Sequence, residues 1–87
     1  MNCNLQCSFC GVIREVHDLN LCRVVAPCAK CGRLNSISQM LRNVYGERAG
    51  KESHAIIGKL ERDTEHSKDP LGVLAKAERA VERLIAV

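Results

Sequence analysis

Cys7-Ser8-Phe9-Cys10-Gly11 and Cys28-Ala29-Lys30-Cys31-Gly32 have one form, Cys-x-x-Cys-Gly, written twice with seventeen residues between Cys10 and Cys28. Two intervening residues let a tight turn present both sulfurs to one ion. Glycine after the second cysteine permits positive φ, which turns backbone N–H groups towards the sulfurs. Seventeen residues are enough for the chain to leave, reverse and bring the second pair beside the first. Four thiolates around a divalent ion make a closed tetrahedral site, and this spacing lies in the range read as a zinc site. We therefore expect Cys7, Cys10, Cys28 and Cys31 to bind one Zn2+ per chain.

The bulk properties point the same way. The chain has 87 residues, room for one small domain. Hydrophobic residues make up 46%, but six of them are cysteines and only Phe9 and Tyr45 are aromatic. So thin a core needs a metal, disulfides or a partner subunit to hold it. Catalytic barrels and doubly wound sheets do not fit this length. Met1 is followed by polar residues and cysteines rather than a basic stretch and an apolar run, so no secretory leader is expected. No stretch approaches the roughly 18 apolar residues of a membrane span. A cytoplasmic location follows as the expectation. There thiols stay reduced, which favours metal over disulfides.

Working outward, residues 12–16 and 21–26 are β-branched or apolar runs flanking a turn at residues 17–20, and they read as the two strands of one hairpin. Pro27 ends the second run, because proline has no N–H for a ladder. From Ser36 the period changes. Ile37, Met40, Leu41, Val44 and Tyr45 share one helical face, with Ser36 as N-cap. Gly46 and Gly50 are expected to bracket a loop. A second helix near residues 52–66 carries Ile56, Ile57 and Leu60, and a third near 70–86 begins with Asp69 as N-cap and Pro70 in the first turn. Leu74, Ala77, Val81 and Leu84 form its seam, spaced for helix pairing. This seam fits packing on the first two helices, or a homodimer or partner protein. The fold expected is small α+β: a zinc-stabilised β-hairpin in residues 1–35, then about three helices in residues 36–87.

The two knuckles resemble those of the zinc-ribbon group over about residues 5–34. The resemblance implies Cys7, Cys10, Cys28 and Cys31 as ligands, with Lys30 and nearby arginines offsetting the cluster's net negative charge. Zinc ribbons occur in transcription factors, polymerase-associated and ribosomal proteins and enzyme subdomains. The treble clef, in which the second knuckle opens a helix, is the near alternative. A rival resemblance comes from Cys3-Asn4-Leu5-Gln6-Cys7-Ser8-Phe9-Cys10, which is similar to the cluster motif of radical S-adenosylmethionine enzymes. That resemblance implies an iron–sulfur or redox protein using Cys3, Cys7 and Cys10. Its partial barrel needs ~200 residues or more, beyond this chain. Cys22 is expected to face the core as a small hydrophobe. His17 is expected as a solvated turn residue, and His54 and His66 as exposed helix residues.

The net charge of +3 is unevenly placed. Residues 1–50 hold six basic residues against three acidic, and residues 51–87 hold seven of each. Arg14, Arg23, Lys30 and Arg33 therefore form a candidate surface for phosphates or for a transcription-related protein. The scarcity of aromatics favours phosphate contact over base stacking. No Ser/His/Asp signature and no phosphate-binding loop occurs, so neither an enzyme nor a small-molecule substrate is expected.

Overall fold

The computed structural model describes residues 2–17, 19, 21 and 24–86. Four short strands come first: β1 (Cys3–Gln6), β2 (Ile13–Val16), β3 (Val25–Pro27) and β4 (Leu34–Ser36). Three helices follow: α1 (Ile37–Tyr45), α2 (Glu47–His66) and α3 (Pro70–Ile85).

The strands form two separate antiparallel hairpins, β1–β2 and β3–β4. This corrects the single hairpin expected from residues 12–16 and 21–26. Each of those runs pairs instead across its own knuckle, Cys3 with Val16 and Gln6 with Ile13, Val25 with Ser36 and Pro27 with Leu34. The reason is loop closure. A knuckle joins two strands through a tight hydrogen-bonded turn, so its flanking strands close over a shorter loop than the link between the hairpins would allow. β1 shows the alternation of a half-buried strand: Cys3 and Leu5 are buried and Asn4 is exposed.

The link between the hairpins is anchored by Leu19 and Leu21, both buried in the core. Cys22 and Arg23, and Asp18 and Asn20 of the expected turn, lie outside the described residues. The core joins both ends of the chain: Cys3 and Leu5 of β1, Leu19 and Leu21, Ile37, Met40 and Leu41 of α1, Ile57 and Leu60 of α2, and Val81 of α3. Fully burying one such side chain stabilises the fold by about 1.5–3 kcal/mol.

Ser36 caps α1 as expected, its hydroxyl accepting from the Gln39 N–H. Gly46, at φ 103°, closes α1 and opens α2 with no loop between them. The second helix therefore starts at Glu47, earlier than residue 52, and Gly50 lies inside it. A Cβ at Gly50 would collide with the Arg42 side chain. The glycine is a close-packing residue here, not a loop residue. Ala49 and Ser53 continue this small-residue stripe, and the Ser53 hydroxyl donates to the Gly50 carbonyl at 3.0 Å. Asp69 caps α3, accepting from the Gly72 N–H at 3.1 Å, with Pro70 in the first turn.

Val81 is fully buried, and Leu74 and Ala77 pack against the same core cluster along with Val73 and Ile85. Leu84 is half-buried. Leu74, Ala77 and Val81 thus pack within the chain.

Candidate metal centre

The two knuckles are built alike. In the first, the Cys7 N–H donates to the Val12 carbonyl at 3.0 Å and the Gly11 N–H to the Cys7 carbonyl at 3.1 Å. In the second, the Cys28 N–H donates to Arg33 at 3.0 Å and the Gly32 N–H to Cys28 at 2.9 Å. Gly11 and Gly32 adopt φ of 76° and 74°, a conformation glycine takes without the cost a Cβ would add. The first cysteine of each pair, Cys7 or Cys28, is buried and the second, Cys10 or Cys31, is exposed.

The four sulfurs of Cys7, Cys10, Cys28 and Cys31 lie within 4.8 Å of one another. Two contacts cross between the knuckles, Cys7 Sγ to Cys31 Sγ and Cys10 Sγ to Cys28 Sγ, both at 3.6 Å. A tetrahedral ion with bonds to sulfur of about 2.3 Å needs sulfurs about 3.8 Å apart. The two contacts across the knuckles are near this separation, and the donor set suits such an ion. No disulfide joins the described cysteines.

Polar hydrogens converge on the buried sulfurs. The N–H groups of Phe9 and Cys10 point to Cys7 Sγ at 3.4 and 3.5 Å, and the Lys30 N–H points to Cys28 Sγ at 3.4 Å. The Cys10 N–H contributes most to the Cys7 thiolate. With the Phe9 N–H, the Asn35 amide and the Cys10 thiol, it outweighs desolvation and lowers the Cys7 thiol to about 6. The N–H groups of Cys31 and Lys30 likewise lower Cys28. At Cys10 the Val12 N–H favours the thiolate, but desolvation and the sulfurs of Cys28, Cys7 and Cys31 prevail and push the thiol up to about 11. Four crowded sulfurs cannot all carry charge without a cation. A metal ion held by the four sulfurs would supply it.

Asn35 braces the centre and carried no signal in the sequence. It is buried, it accepts from the Ser8 N–H at 2.9 Å, and its amide donates to Cys7 Sγ at 3.4 Å and to the Arg33 carbonyl at 3.2 Å. One side chain of β4 thus ties the first knuckle to the second. Asn43 of α1 adds a second tie, donating to the Gln6 carbonyl at 3.0 Å and to Ser8 Oγ at 2.9 Å. Tyr45 fastens the same helix to β1 by accepting from the Asn4 N–H at 2.9 Å. Helical periodicity marks the apolar face of α1 and is silent about this polar one.

Cys3 does not join the cluster. It sits in the core at the start of β1, where burial raises its thiol. The triad of Cys3, Cys7 and Cys10 expected for an iron–sulfur centre is therefore not assembled. Strand alternation explains this, because Cys3 packs beside Leu5. The second knuckle closes a hairpin, and α1 begins only after β4. His17 is exposed, 3.9 Å from Glu15, and stands outside the cluster, and His54 and His66 are exposed on α2. Arg14, Lys30 and Arg33 are all exposed, while Arg23 lies outside the described residues.

No known family model, no curated protein and no solved structure matches the chain. No helix among the described residues is long and apolar enough to cross a membrane.

Proposed function

We propose that Cys7, Cys10, Cys28 and Cys31 hold one structural zinc ion, and that the zinc-organised end is the recognition part of a small regulator or adaptor that contacts nucleic acid or the transcription machinery. The observation that carries the metal reading is the convergence of four sulfurs within 4.8 Å from two hairpins. Four protein thiolates complete the tetrahedron and leave no open position for water or substrate, which is the pattern of a structural site rather than a catalytic one. The ion would supply folding free energy that the thin core lacks.

The contact with nucleic acid rests on charge. Arg14, Lys30 and Arg33 are exposed on or beside the knuckles, and exposed cations on a rigid scaffold favour phosphate binding. The test is a titration of labelled duplex and single-stranded DNA and RNA with zinc-loaded protein at low and moderate salt. Binding should weaken as salt rises and should weaken again when Arg14 and Lys30 are replaced by glutamate. Absence of binding to every one of these probes, with zinc intact, would refute direct nucleic-acid recognition and leave the protein-adaptor half of the proposal.

A further inference from the structure

A groove of about 640 Å³ runs beside the metal centre, between the first knuckle, β4, α1 and the start of α2. Its rim carries two large apolar side chains that the fold leaves exposed, Phe9 (57% exposed) and Leu34 (64%). Arg42 and Lys51 line it, with a single carboxylate, Glu47. Arg33 reaches over Phe9, its guanidinium 5.1 Å from the ring centroid. The ion pairs among the described residues, Arg48 with Glu52 and His17 with Glu15, leave Arg33, Arg42 and Lys51 uncommitted.

We infer that this groove docks an extended acidic segment of a partner protein. An apolar side chain of that segment sits on Phe9 and Leu34, and its carboxylates pair with Arg33, Arg42 and Lys51. Charge complementarity selects the occupant: Arg42 and Lys51 line the groove against one carboxylate, Glu47, and Arg33 stands beside its rim over Phe9, and guanidinium groups pair with carboxylates in a fixed, two-pronged geometry. The exposed apolar pair selects a polypeptide over a nucleic acid. Leu34 offers no stacking platform, and one face of Phe9 is already covered by Arg33, which leaves the His54 imidazole as the other ring lining the groove. A run of bases needs successive rings. Glu47 can accept an N–H from a peptide backbone. Exposed aromatic and arginine residues together are also the composition of binding hot spots. The surface is distinct from Arg14 and from nucleic-acid contact through it, so the two readings can fail separately.

A display library of random twelve-residue peptides, selected against the zinc-loaded full chain, tests the proposal. Selected sequences should be rich in Asp and Glu flanking Leu, Ile or Phe. Their affinity, measured by fluorescence anisotropy, should fall at least tenfold in Lys51→Glu and in Phe9→Ser, and remain unchanged in Arg79→Glu on α3. Both altered side chains in the groove are exposed, so the fold survives their loss, and amide spectra confirm it. Selection without acidic enrichment overturns the proposal. So do acidic peptides indifferent to both groove variants, and so does a twenty-residue oligothymidine that perturbs the groove amides and displaces the peptides.

Discussion

The two knuckles share a backbone and differ in what surrounds it. Both close with the same two hydrogen bonds, and both place glycine near φ 75°. The first is held from outside by Asn35 and Asn43, and its Cys7 sulfur receives a side-chain amide. The Cys28 sulfur of the second receives backbone N–H groups without such an amide. At the matching third position of the motif the first presents Phe9 and the second presents Lys30. Metal binding needs only what the knuckles share. Their differences fasten the first knuckle to α1 by side chains, whereas the second joins α1 through the backbone, β4 running directly into the helix.

The largest expected effect breaks both knuckles at once. Removing the metal with a chelator, or replacing Cys7 or Cys28 by serine, should abolish the ordered hairpins. Structural zinc contributes on the order of 10–16 kcal/mol of apparent binding free energy, comparable with the whole stability of about 5–15 kcal/mol typical of a domain. Amide dispersion in the nuclear magnetic resonance spectrum reads the outcome. Retention of dispersed signals from β3 and β4 without metal would show that the second knuckle stands without it.

Asn35→Ala comes next, because it severs the tie between the knuckles and leaves the Ser8 N–H without its partner. The expected cost is about 1–3 kcal/mol of stability and roughly 10–100-fold in metal affinity. Competition with a chelating dye measures the affinity. Asn43→Ala, on the exposed side, should cost only about 0.5–1.5 kcal/mol, and exchange protection should fall in the first knuckle and not in the second.

Gly11→Ala and Gly32→Ala sharpen the comparison from the other side. No atom lies within 4 Å of either added Cβ, so each substitution costs only the left-handed backbone penalty of about 1–2 kcal/mol. Equal shifts in thermal midpoint are expected, and unequal ones would show that the knuckles are not equivalent in backbone.

Acidity gives the smallest and most gradual effect. Cys10 stays protonated below about 11 without metal, so binding at neutral pH must expel its proton and affinity should fall as pH falls. Below about 6 Cys7 takes up a proton as well, so the dependence of log affinity on pH should steepen there. Competition titrations between pH 5 and pH 8 would reveal the bend.

The four-cysteine cluster was legible because cysteine spacing is a local signal, and so were the caps at Ser36 and Asp69. The pairing of strands was not. Cys3 and Leu5 are too few to mark β1, and a cysteine so near a knuckle reads as a ligand rather than as core. Gly50 misled in the same way, since a glycine that ends a helix and one that lets two helices touch look alike until the neighbour, Arg42, is placed. Asn35 carries no pattern at all. Its role exists only once the fold brings Ser8, Cys7 and Arg33 around it.

The central claim is one ion held by four sulfurs drawn from both knuckles. Native mass spectrometry joined to X-ray absorption at the metal edge tests it most directly. One zinc per chain, coordinated by four sulfurs at about 2.3 Å, is the expected result. Iron with sulfide, nitrogen or oxygen in the first coordination sphere, or a folded chain that binds no metal would contradict it.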